Sequence, residues 1–215
     1  MNVYFISGLG ADESAFSKIK LNPKYNIIHL PWIMPFENES IEEYASRMAK
    51  SIDINQPFCL VGLSFGGIVA KEISCLYKPI KIIIISSLSR SNQLPWYFKF
   101  IAFLNLHKVI PVHWLKIPNP ITNWFFGIKT IEEKKLMSNI LKQSHVSYLK
   151  WSINALLNWK NNKSTSTKVV HIHGSKDRII PISNVSPDYV INNGRHFMVI
   201  SMFNEVNLIL NKVLD

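Results

Sequence analysis

The 215 residues carry 24 Lys and Arg against 14 Asp and Glu, a formal charge of +10, with 47% hydrophobic and 18% charged residues. This length suits one domain with room for an insertion, and the apolar content excludes long disorder. Two cysteines, Cys59 and Cys75, are too few for a disulfide framework, and the basic residues form neither a run nor an RNA-binding motif, so the charge reads as a solvated Lys-rich surface rather than a nucleic-acid interface.

The chain opens MNVYFISGLG, without a basic segment leading a long apolar one, so no signal peptide is expected. Residues 3–6, VYFI, are a short apolar run that ends at Ser7-Gly8-Leu9-Gly10. Continuous runs of this kind suit parallel strands buried on both faces. A second run, 26–30, stops at Pro31. Ser40 and Glu43 then form a capping box, followed by Ile41, Tyr44, Ala45, Met48 and Ile52 at helical spacing. Residues 58–61, FCLV, predict a third strand, with Cys59 as a small core residue. A helix follows Gly66-Gly67, with Ile68, Val69, Ile73 and Leu76 on one face, and 81–85, KIIII, predicts a fourth strand.

The alternation stops near Ser89. Residues 90–160 hold Trp96, Trp114, Trp124, Trp151 and Trp159 and read as several helices broken by Pro111, Pro118 and Pro120. The apolar stretch 94–115 is interrupted by Lys99, His107, Lys108 and Pro111, so no membrane span is expected and a cytoplasmic location follows. After a polar linker, 161–167, strand character returns at 168–172 and 188–191, and one closing helix carries Met202, Phe203, Val206, Ile209, Leu210 and Val213. The pattern predicts an α/β fold: residues 1–89 and 161–215 form a parallel-sheet core with helices on both faces, and 90–160 form a helical cap inserted over the carboxyl ends of the strands.

Gly62-Leu63-Ser64-Phe65-Gly66-Gly67 lies directly between a strand and a helix, the context of a nucleophile elbow. A serine hydroxyl needs a base, and the base an orienting carboxylate. Asp177, in His173-Gly174-Ser175-Lys176-Asp177-Arg178, and His196, in Asn193-Gly194-Arg195-His196-Phe197, follow the last two strands, where each can reach back to Ser64. The loop after the first strand can aim a backbone N–H at a substrate carbonyl oxygen; the expected oxyanion donors are the N–H groups of Leu9 and Phe65. That loop lacks a phosphate-loop pattern. His171 and His173 share one strand face, but no third ligand lies nearby, so a packing or polar role is expected, with no metal and no cofactor.

On these four motifs, at 7–10, 62–67, 173–181 and 194–197, the chain resembles the α/β-hydrolase superfamily over nearly its whole length. The resemblance implies Ser64 as nucleophile, Asp177 as acid and His196 as base. It departs from the pattern where Ser7 stands in place of a usual His, and where Asn193 replaces a Gly. The antiparallel strands that usually precede the oxyanion strand are not found, so about six strands are expected. The function implied is a serine hydrolase acting on carboxylic esters with an apolar acyl or alcohol part. Two alternatives are a lyase or other non-hydrolytic reaction on the same triad, and a weakly catalytic ligand-binding protein.

Overall fold

The computed structural model describes residues 1–106, 119–162 and 165–215. Pro111, Trp114 and Pro118, residues 107–115 of the apolar stretch, and Lys163 and Ser164 of the linker lie outside them.

Each apolar run becomes a strand: β1 (Asn2–Ile6), β2 (Asn26–His29), β3 (Phe58–Leu63), β4 (Lys81–Ile85), β5 (Lys168–Gly174) and β6 (Tyr189–Ile191). They pair in parallel in the order β2-β1-β3-β4-β5-β6, with Val61 opposite Phe5 on one side and Ile83 on the other. Successive side chains point to opposite faces, so β1 to β5 each feed two cores, while β6 feeds one and exposes Val190. Phe5, Val61, Ile83 and Ile172 enter one; Tyr4, Ile6, Leu60, Ile82 and Ile84 enter the other. Ile82, Ile83, Ile84 and Ile85 are all buried, which is why this strand reads as an unbroken apolar run. Each such side chain stabilises the fold by about 1.5–3 kcal/mol.

Helix α1 (Ile41–Ala49) begins at the predicted box: Ser40 Oγ accepts from the Glu43 N–H, and Glu43 accepts from the Ser40 N–H at 2.9 Å. Helix α2 (Phe65–Leu76) differs from its predicted single face. Residues 65–74 are buried all round, whereas Leu76 is exposed. The helix lies between the sheet and other elements, so no side of its first turns meets water.

Between β4 and β5 lie α3 (Trp96–Phe103), α4 (Pro120–Phe126), α5 (Ile131–Gln143) and α6 (Val146–Asn158). Pro120 opens α4 instead of breaking a helix. It occupies the first helical position, where a missing N–H costs nothing, and Asn119 caps Thr122 at 2.8 Å. Indole N–H groups tie α6 to the core: Trp151 donates to the Glu39 carbonyl (2.8 Å) and Trp159 to the Glu72 carboxylate (2.6 Å).

The closing helix is two helices, α7 (Met198–Ser201) and α8 (Phe203–Leu214), separated at Met202 with φ −135° and ψ 41°. Met198, Val199 and Ile200 are consecutive and all buried, whereas α8 buries a stripe of Val206, Leu210 and Val213. One straight amphipathic helix cannot present both patterns to one core. Among the described residues no helix is long and apolar enough to cross a membrane.

Candidate active site

Ser64 sits at the step from β3 into α2 with φ 51° and ψ −120°, a conformation that costs a side-chain-bearing residue on the order of 1 kcal/mol or more. Its neighbours hold it there. Its N–H donates to the Ile85 carbonyl at 2.9 Å, and its carbonyl accepts from the Ser87 hydroxyl at 2.6 Å. The turn leaves no room beside it: a Cβ at Gly66 would lie 2.2 Å from the Ser7 carbonyl oxygen, and one at Gly62 would lie 2.4 Å from Gly67 Cα.

Asp177 and His196, from the turns after β5 and β6, meet Ser64 at the carboxyl ends of the strands. His196 Nε2 is 2.9 Å from Ser64 Oγ, and His196 Nδ1 is 2.8 Å from Asp177 Oδ2. The other carboxylate oxygen accepts the N–H groups of Ile179 and Ile180, each at 2.9 Å. Burial opposes the charge on Asp177, but the His196 imidazole and these N–H donors outweigh it and hold its carboxyl below the usual range. An ionised carboxylate only accepts, so His196 Nδ1 carries the hydrogen and Nε2 offers a lone pair to the serine hydroxyl.

His171 and His173 lie behind this line. His173 Nε2 must donate to the Ile180 carbonyl (2.8 Å), which leaves its Nδ1 to accept from His171 Nε2 at 3.1 Å. Burial favours the neutral form of both imidazoles and lowers the pKa of each, that of His171 to about 3. The pair that shares a strand face in the sequence is bonded to itself and to the backbone of the Asp177 loop.

In front of Ser64 lies an apolar cavity of about 530 Å³, lined by Leu9, Phe65 and His196 together with side chains of α3, α4, α5 and α6. Phe65 is the first residue of α2, so its N–H is one that the helix leaves without an internal partner. Leu9 shares its peptide with the Gly8 carbonyl, which accepts from the Ala11 N–H (3.0 Å) and from Trp32 Nε1 (3.2 Å). In a trans peptide the N–H points away from a carbonyl so held. A second cavity of about 500 Å³ lies beyond Gly10 and Ala11, lined by His29, Trp32 and Tyr148 and by none of Ser64, Asp177 and His196.

No protein-family model matches the chain, and no curated protein matches it. Solved structures do. An esterase from Thermogutta terrifontis superposes with a TM-score of 0.72 at 14% identity, over 100% of this chain and 89% of that one. A hydrolase from Oleispira antarctica gives 0.74 at 14% identity, over 97% and 89%. A lipase-esterase related protein from Clostridium acetobutylicum gives 0.70 at 16%, over 98% and 93%. This is the α/β-hydrolase fold.

Within the α/β-hydrolase fold, four side chains support the site that its motifs do not single out. Trp32 fixes the Gly8 peptide, and is itself packed against Phe65 and Tyr148 at ring-centroid distances of 5.7 and 5.3 Å. The Tyr97 hydroxyl donates to the Ile179 carbonyl of the acid loop at 2.5 Å. Phe126 sets its ring edge-to-face with His196 at 5.5 Å. Ser87 holds the Ser64 carbonyl. The one signal in the sequence is Pro31-Trp32, an indole at the carboxyl end of β2 where the α/β-hydrolase sheet keeps its site.

Proposed function

We propose that this chain is a serine hydrolase that cleaves carboxylic esters with an apolar acyl or alcohol part. The observation that carries the reading is the hydrogen-bonded line Ser64–His196–Asp177 at the wall of a 530 Å³ apolar cavity. Ser64 Oγ attacks the acyl carbon while His196 Nε2 takes its proton. Asp177 keeps the proton on Nδ1 and stabilises the imidazolium. The N–H groups of Leu9 and Phe65 receive the oxyanion, and the positive end of the α2 dipole adds to them. The imidazolium then protonates the leaving alcohol, and water, deprotonated by His196, releases the acid and restores Ser64. Residues 90–160 act as the cap whose apolar side chains receive the non-reacting part of the ester.

The test is labelling by a fluorophosphonate probe, followed by turnover of p-nitrophenyl esters. Native protein should label and turn over. Ser64→Ala should do neither, and His196→Ala should fall to the background rate. Native protein that labels with nothing and hydrolyses no ester of any chain length overturns the reading.

A further inference from the structure

Helices α3 and α4 contain no buried residue. In α3, Tyr97, Phe98 and Ile101 line the cavity, while Trp96, Phe100 and Phe103, spaced four and three apart, share another face and are exposed. Trp96 is 74% exposed and Phe103 81%. In α4, Ile121 is 69% exposed and Trp124 54%. The two helices adjoin through Arg178, whose backbone carbonyl lies 3.3 Å from the Tyr97 hydroxyl oxygen. Its guanidinium donates to the Trp124 carbonyl and lies 4.1 Å over the Trp124 ring. So many large apolar side chains on neighbouring helices exceed the scattered exposure that a soluble surface shows.

Charge is gathered in the same segment. Residues 90–160 hold ten Lys and Arg but two Asp and Glu, so eight of the ten net positive charges fall in one third of the chain. Arg90, Lys99, Lys129, Lys134, Lys135, Lys142, Lys150 and Lys160 are all exposed. The two acids offset little: Glu132 pairs with Lys18 at 3.2 Å, and Glu133 is buried capping α5. Exposed aromatic rings in a segment this rich in exposed lysines suit the boundary between anionic headgroups and acyl chains. A second copy fits worse, since a two-fold contact would set this charge against itself.

We propose that the outer face of α3 and α4 docks the protein on an anionic lipid surface. On the esterase reading, which this adds to but does not need, docking brings the cavity that α3 and α4 help to line close to the source of apolar esters. The measurement is flotation with vesicles of phosphatidylglycerol mixed into phosphatidylcholine, against phosphatidylcholine alone. The anionic vesicles should bind at least about tenfold more tightly, and salt near about 0.5 M should weaken them. The double variant Trp96→Ser, Phe103→Ser should lose at least about tenfold in binding, yet keep native hydrolysis of a short soluble ester. Ser64→Ala should float as the native protein does, so a failed esterase reading leaves this readout untouched. Three results overturn the proposal: no flotation with either vesicle, equal flotation with both, or a concentration-dependent dimer that the double variant abolishes.

Discussion

The carboxylate of Asp177 has one oxygen on the His196 imidazole and the other on two backbone N–H groups, so it can neither turn nor leave the line. Asp177→Asn keeps the shape but offers an amide that can donate, which favours the wrong imidazole tautomer. Activity should fall by about 10³- to 10⁴-fold with the fold intact, read as kcat/KM beside an unchanged circular dichroism spectrum. Behind Asp177, His171 and His173 stay neutral when folded. Between pH 6.5 and about 3 the unfolded chain takes a proton at residue 171 that the folded chain refuses, so stability is full above pH 6.5 and drains as pH falls. His173 acts in the same direction, and Asp177 adds a loss below its unfolded value of 3.8. The loss from His171 alone is on the order of 3–5 kcal/mol. His171→Leu should cost about 1–2 kcal/mol at pH 7, through the unpaired His173 nitrogen, but should flatten the dependence. Urea midpoints at pH 7 and pH 4 give the answer; an equal pH slope in both proteins would remove His171 from the account.

Strand ends and helix starts decide where these residues stand. Ser64, Asp177 and His196 stand out in the sequence because the proposed chemistry demands those residue types and a parallel sheet puts its loops in one place, and the structure brings the three within hydrogen-bond distance. Trp32 and Tyr97 do not. Each works by donating one hydrogen to a backbone carbonyl, a task that any donor of suitable reach can perform, so no residue-type pattern announces it beyond the position of Pro31-Trp32 at a strand end. The break at Met202 was hidden for another reason: α7 and α8 each carry apolar residues, and only their different burial separates them. The burial of α2 on all sides is likewise a property of what packs around it, not of its own period. At this scale two substitutions are informative. Gly66→Ala drives a methyl into the Ser7 carbonyl and should destabilise by about 3 kcal/mol or more, seen as a lowered urea midpoint or loss of soluble protein. Trp32→Phe keeps the ring packing and removes the N–H on Gly8. It should lower kcat by about tenfold with KM little changed; a change confined to KM would mean that Trp32 contacts substrate instead.

Taken whole, the molecule divides its chain between a sheet that holds the reacting groups and a helical segment that supplies most of the cavity wall. The wall is apolar, so binding strength should follow the apolar area an ester brings. Each added methylene is worth about 0.8 kcal/mol when buried, and kcat/KM should climb about fourfold per methylene across a p-nitrophenyl ester series until the 530 Å³ space is filled. A flat series would mean that the acyl chain points to solvent. The segment 90–160 also carries most of the net positive charge, so the sheet core is close to neutral by itself.

The contact between Ser64 and His196 spans 132 residues of sequence. The elbow belongs to the middle of the sheet and the histidine turn to its far edge, after β6 has paired with β5. A chain still being synthesised can therefore carry a finished elbow and yet be chemically silent. On the proposed esterase reading, the serine is activated only when the last strand is in place. Activity would then time the end of folding: on refolding from denaturant it should return no earlier than the burial of the sheet's far edge, and a pulse of reactive probe should mark completed molecules alone.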